Sequence, residues 1–191
     1  QRTVIQPMTK LQVMQDRIVM GVSGQVGLSQ LYCDRVEALW KERKLGREVS
    51  LPDVLRLLHT AIYQDAQNAI AGAAASAPFL GNEAAALAVT ASVIALPVGG
   101  IRGRPELIQC NHIGMAEAAT SDLPYVAIGS GQALADPFLA FLRHIFWPGS
   151  LPKLADGVFA TVWTLLHAIR VTPGGVSEPI QIATLAYKGR E

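Results

Sequence analysis

The residues best placed to do chemistry lie in two short turns of similar spelling. Gly21-Val22-Ser23-Gly24 follows the apolar run Ile18-Val19-Met20 and leads into a helical pattern that begins near Gly27-Leu28-Ser29-Gln30. Gly129-Ser130-Gly131-Gln132 follows Tyr125–Ile128 and again leads into a helical pattern. Strand, small-residue turn and helix, in that order, gather backbone N–H groups at a helix N-terminus. Such a place holds an anion or a developing oxyanion. Ser-Gly-Gln therefore stands twice between an apolar strand and a helix, and it is the most informative pattern in the chain.

Other reactive groups do not assemble into a site by spacing. His59, His112, His144 and His167 include no pair four apart on one helix, so they read as packing or surface histidines. Cys110 and His112 would share one face of a strand, but nothing nearby completes a thiol site. Gly21–Gly27 lacks the Gly-Lys-Ser/Thr ending of a nucleotide loop. Trp40, Trp147 and Trp163 lie on or beside helices and read as packing residues.

The elements that must position these turns follow from periodicity. Thr3–Val13 reads as extended, and Gln15-Asp16-Arg17 as a tight turn into the first apolar strand. A helix is predicted over Leu28–Lys44, closed by basic residues and Gly46. A second starts at Ser50-Leu51-Pro52-Asp53, with Ser50 as N-cap, and Leu55, Leu58, Ile62 and Ala66 as its buried stripe. The alanine- and glycine-rich stretch 69–82 reads as a loosely specified connection. Strands are predicted over Ala86–Leu96 and Glu106–Ile113, with Gly114–Asp122 as a polar link. Tyr125–Ile128 is a further strand, followed by helices over Gln132–Phe146 and from Ser150 to about Arg170, then a strand over Ile180–Tyr187. Helices in pairs between strands joined by tight turns indicate antiparallel sheets sandwiched between helix pairs, not a βαβ alternation.

Composition narrows the function classes. The 191 residues form one domain, 1–191, long enough to bury a sizeable core. Sixteen Lys and Arg against fifteen Asp and Glu leave a formal charge of +1, with no electrostatic footprint for nucleic acid. The clusters Lys41–Arg47 and Arg102–Arg104 read as a solvated helix end and a turn. Half the residues are hydrophobic and 16% are charged, which points to surface covered by neighbouring subunits. Ala84–Ile101 is uncharged, but its Pro97, Gly99, Gly100 and β-branched residues suit a buried strand ending in a turn better than a membrane span. Cys33 and Cys110 make no disulfide framework and suit a reducing compartment.

In order and spacing these motifs resemble the proteasome β-subunit family of N-terminal-nucleophile hydrolases, and among them bacterial proteasome-like peptidases such as HslV. The carrying residues are Asp16–Gly24, the Ala127–Gly131 turn and Gly174-Gly175. The resemblance implies an α+β fold, a four-layer α-β-β-α sandwich. It implies a threonine-type endopeptidase whose nucleophile is an N-terminal threonine released by processing, with the free α-amine acting as base. By resemblance, Lys10 matches the lysine beside that threonine, Gly24 the oxyanion glycine and Ser130 the serine that orients the amine. Val22, with Ser23 beside it, would line the substrate site as a modest apolar pocket.

The departures are equally specific. The family's threonine, and an aspartate that pairs with the lysine, lie upstream of the lysine, and Gln1–Thr9 supplies neither. Thr3 is too near Lys10 to serve. The expectation is that a segment carrying both precedes Gln1. Arg170 and Pro173 stand where many members have an aspartate and a serine. The resemblance further implies homo-oligomeric stacked rings of six or seven subunits, a ring ATPase unfoldase, unfolded polypeptide as substrate and a cytoplasmic location. It implies no cofactor, no metal, no nucleic acid and no membrane. The competing expectations are a non-catalytic structural ring subunit of the same fold and an amidase of this class acting on small molecules.

Overall fold

The computed structural model describes residues 10–81, 83–99, 104–172 and 175–185. Among these residues five strands form one antiparallel sheet in simple sequence order: β1 (Leu11–Met14), β2 (Ile18–Gly24), β3 (Thr90–Val98), β4 (Arg104–Cys110) and β5 (Ala116–Ala118). Among the described residues five helices accompany it: α1 (Val26–Lys41), α2 (Leu51–Leu80), the single turn α3 (Glu83–Ala86), α4 (Gln132–Phe146) and α5 (Leu154–Val171).

Alternation along β2, and along β3 as far as Leu96, separates two faces. Ile18, Met20 and Val22 on β2, with Ser92, Ile94 and Leu96 on β3, are buried. They meet Tyr32, Cys33 and Val36 of α1 and Val54, Leu58 and Ile62 of α2 in one core. The register pairs Met20 with Ile94 and Ile94 with Ile108, so the largest aliphatic side chains stack across three strands. Arg35 of α1 and Asp65 of α2 close the outer side of the helix pair with a 2.9 Å ion pair. The opposite face of the sheet carries Leu11, Val13, Val19, Val93 and Leu107 by alternation, and Val13 is 59% exposed.

Several expected elements are present with shifted ends, and others differ. Ser50 caps α2 as predicted, accepting the Asp53 N–H. The stretch 69–82, expected as a connection, instead continues α2 to Leu80, with Gly81 at the cap. Alanine has the highest helix propensity, and a run of it extends a helix that packing has already nucleated. The expected polar link contains β5. Gly114, at φ +84°, lies where a Cβ would meet the Tyr63 backbone at 2.7 Å, and this close seat on α2 turns the chain back beside β4. Asn111 steadies the turn by accepting the N–H groups of Ile113 and Met115.

The two-sheet sandwich is present only in part: among the described residues there is one sheet. Tyr125–Ile128 and the described part of the expected last strand, 180–185, lie outside any ladder. A strand exists only where a neighbour takes its hydrogen bonds, and neither segment has such a neighbour among the described residues. The first part of the extended stretch, residues 1–9, and Tyr187 lie outside the described residues.

Within Ala84–Ile101, Thr90–Val98 becomes β3, as the strand reading expected, and residues 84–86 belong to α3. Helix α5 is long and apolar enough to cross a membrane by length and composition, with mean hydropathy 1.3. In this fold it pairs with α4 through aromatic contacts, Phe138 on His167 at 4.5 Å and on Trp163 at 5.7 Å.

Two expectations test the core. Ile94→Ala, at a fully buried position, should cost about 2–5 kcal/mol in a denaturant titration. Burial pushes the Cys110 thiol to about 12 and the Cys33 thiol to about 11, from an ordinary 9.0. Raised thiol pKa values mean that the stability gained by burying neutral thiols is full below about pH 9 and is lost as pH rises toward 11–12. The denaturation midpoint should therefore fall across that window, and fall less in Cys110→Ala, measured as the change from its own value at pH 8.

Candidate functional site

The two small-residue turns, more than a hundred positions apart, touch. Gly129 has φ +88°, and a Cβ on it would sit 2.6 Å from Ser23 Oγ. Ser23 lies on the sheet face away from α1 and α2, because its neighbours Val22 and Gly24 alternate with it. A third turn joins them. Ser130 Oγ donates to the Gly175 carbonyl at 3.1 Å. Gly175 also has φ +88°, and a Cβ there would meet Ser130 Oγ at 2.7 Å. Thus Ser23, Gly129, Ser130 and Gly175 form one continuous line of contact. Glycine is required at both positive-φ positions for close approach as well as for backbone conformation.

The direction of the Gly24 N–H follows from the ladder. Val22 N–H donates to the Lys10 carbonyl on the β1 side at 3.0 Å, and Gln25 N–H donates to the Val89 carbonyl on the β3 side at 3.1 Å. Successive strand N–H groups point to opposite edges. The Gly24 N–H therefore points to the β1 side, beyond the Val22–Lys10 bond. Gly24 is exposed, has φ +110°, and immediately precedes Gln25, the residue that opens α1. Gly24 thus stands at the positive end of a 16-residue helix dipole.

The sequence-derived residues separate into two groups. Gly24, Ser23 and Ser130 are brought together around the joined turns. Lys10 pairs with Val22 across the β1–β2 register, so their side chains share a face; Lys10 is exposed, whereas Val22 is 5% exposed and packs in the core. As folded here, the Val22 side chain meets core residues and not open space. Arg170 is exposed near the end of α5; Pro173 and Gly174 lie outside the described residues. Cys110 and His112 do not form a pair, because the thiol is buried in the core and the imidazole is exposed. Among the described residues no group of three or more His, Cys, Asp or Glu is placed to hold a metal ion.

Two features could not be read from the sequence. Thr90, fully buried at the start of β3, accepts the Gln25 N–H at 3.0 Å alongside the Val89 carbonyl. No local pattern announces it, because the contact spans 65 residues. The second is a cleft of about 270 Å³ between β4–β5 and the start of α4, lined by Gln109, Glu117, Tyr125, Gln132 and Asp136. Burial first, and then the Asp136 carboxylate, hold the Tyr125 phenol above its ordinary pKa, with Arg143 opposing them.

With this geometry in view, the fold can be compared with known proteins. No family model and no curated protein matches the sequence. Solved structures do match: a mutant of Anbu from Hyphomicrobium sp. strain MC1 at TM-score 0.58 and 15% identity, covering 86% of this chain and 63% of that one. Anbu from Yersinia bercovieri, named an ancestral beta-subunit, matches at TM-score 0.57 and 14% identity, with 86% and 64% covered. The chain shares its fold with Anbu. Anbu from Pseudomonas aeruginosa, solved as a helical assembly of the Anbu complex, gives the same TM-score at 15% identity, with 86% and 64% covered. The chain therefore spans a little under two thirds of the length of these structures. The proteasome-like resemblance read from the motifs is supported at the level of fold.

The line of contact is directly testable. Gly129→Ala should destabilise the protein by roughly 1–3 kcal/mol, the cost of a side chain in the left-handed region plus its collision with Ser23. Ser23→Gly in the same chain should recover part of that loss. A double-mutant cycle by thermal melting measures the coupling; strict additivity would show that the two turns do not meet.

Proposed function

We propose that the chain is a subunit of a proteasome-like, self-compartmentalising threonine peptidase that degrades unfolded polypeptide. The observation that carries this reading is the convergence of three small-residue turns, at Ser23-Gly24, Gly129-Ser130 and Gly175; the donor in this reading is the Gly24 N–H. In acyl transfer that N–H would receive the oxyanion of the tetrahedral intermediate, an interaction worth roughly 3–4 kcal/mol. Ser130, held on Gly175, would orient the terminal amine that acts as base. Lys10 would lower the proton affinity of amine and hydroxyl by its charge. Val22 and Ser23 would border the substrate's side chain, which requires Val22 to be partly uncovered by the approach of a peptide or of a neighbouring subunit.

The nucleophile in this reading is a threonine on a segment preceding Gln1. The half-covered face of the sheet, with Val13 and Val19, would take the second sheet of a four-layer sandwich. Subunits would assemble with copies of themselves into rings or a helical array, as the Pseudomonas Anbu complex does into a helical assembly. A ring ATPase as partner and a cytoplasmic location belong to the same proposal.

A second reading keeps the fold and drops the chemistry. Arg170 replaces a carboxylate at the resembling position, and a cation there favours a structural subunit. The intact mass of the full-length natural protein, before and after a peptide epoxyketone, separates the two. That reagent closes a ring using an N-terminal threonine's amine and hydroxyl together. One adduct per chain, with a mature terminus upstream of Gln1, is the expected result. An unmodified chain would favour the structural subunit.

A further inference from the structure

We infer that Thr90 is a positioning residue that sets the direction of the Gly24 N–H, an inference that rests on the peptidase reading and extends it to a residue outside the turns. Gly24 can adopt more backbone conformations than any other residue type at that place. A donor that must meet a developing charge cannot be left to swing, because a misplacement of about 1 Å can cost a hundredfold in rate. Something must hold the glycine, and the contacts show what does. The Gln25 N–H is shared between two acceptors, the Val89 carbonyl at 3.1 Å and Thr90 Oγ1 at 3.0 Å. That N–H belongs to the peptide joining Gly24 to Gln25, so fixing it fixes one of the two rotations about the Gly24 Cα. The other leads back to the Ser23–Gly24 peptide, which the ladder holds with Ser23 opposite Ala91 and Gly24 opposite Thr90; the approach is so close that a Cβ on Gly24 would fall 1.9 Å from the Val89 oxygen and 2.8 Å from the Thr90 Cα.

Residues 89 and 90 thus clasp Gly24 from the β3 edge, and the Gly24 N–H is left pointing to the other. Thr90 is 0% exposed and anchored in the sheet between Gly24 and the core, so its hydroxyl has no solvent to turn toward. A buried hydroxyl is costly unless it is bonded, and here it bonds the one peptide that steers the site. Valine has the shape of threonine without the hydroxyl; serine keeps the hydroxyl and loses a methyl group. The two substitutions separate positioning from packing.

The test uses the full-length natural protein with Thr90→Val and Thr90→Ser, read by amide hydrogen exchange at Gln25, by kcat and KM on a fluorogenic peptide, and by Tm. Thr90→Val should speed Gln25 exchange at least about tenfold and lower kcat roughly ten- to a hundredfold, with KM within about twofold. Thr90→Ser should hold both close to wild type even if its Tm falls. Serine that behaves like valine would reduce Thr90 to a packing residue and overturn the inference. A wild-type protein that neither cleaves peptide nor takes the epoxyketone sinks the peptidase reading. Exchange then decides the clasp alone: Gln25 protection kept in Thr90→Val overturns it, and protection lost in Thr90→Val but kept in Thr90→Ser supports it.

Discussion

Strand β2 has to satisfy two surfaces at once, and the rest of the structure is arranged around that requirement. Its even-numbered residues Ile18, Met20 and Val22 must be covered by α1 and α2, which leaves Ser23 on the far side to meet Gly129. A slip of one residue would place Ser23 in the core and Val22 against Gly129. The register is held by the pairing of Val22 with Ser92 on β3 and with Lys10 across β1. Core packing and site geometry are therefore one constraint, expressed on two faces of the same strand.

The site itself depends on close approach. At Gly24, Gly129 and Gly175 a side chain would meet its neighbour at 1.9, 2.6 and 2.7 Å respectively. Backbone and hydroxyl groups from β2, the loop before α4 and the loop after α5 consequently share a space that no larger residue permits. Such an arrangement suits electrostatic stabilisation, in which donors must be in place before charge develops. Ser130 is bonded to the Gly175 carbonyl and Gln25 to Val89 and Thr90, so the polar groups around the joined turns are already committed.

The two helix pairs are in different situations. Helices α1 and α2 seal one side of the sheet and share a continuous core. Helices α4 and α5 pack on each other through Phe138, Trp163 and His167, yet Phe141, Phe146 and Phe159 remain about half exposed. Apolar surface of that kind is what the composition anticipated when half the residues were hydrophobic and few were charged.

Local chemistry determined much of this protein without help from the fold. Apolar runs marked β2 and β3, the basic helix end marked α1 and the Ser50 cap α2, and the repeated Ser-Gly-Gln phrase marked both turns of the site. These signals are legible because each is set by neighbours within one or two turns of chain. Tertiary structure decided the rest. The alanine run became helix because α2 was already packed, and β5 formed where Gly114 sat against Tyr63. Tyr125–Ile128 stayed outside the sheet because strand identity belongs to a pair and not to a segment. The Thr90 bond to Gln25 joins residues 65 apart. No local pattern carries such a contact, because its two halves acquire meaning only when β2 and β3 lie side by side.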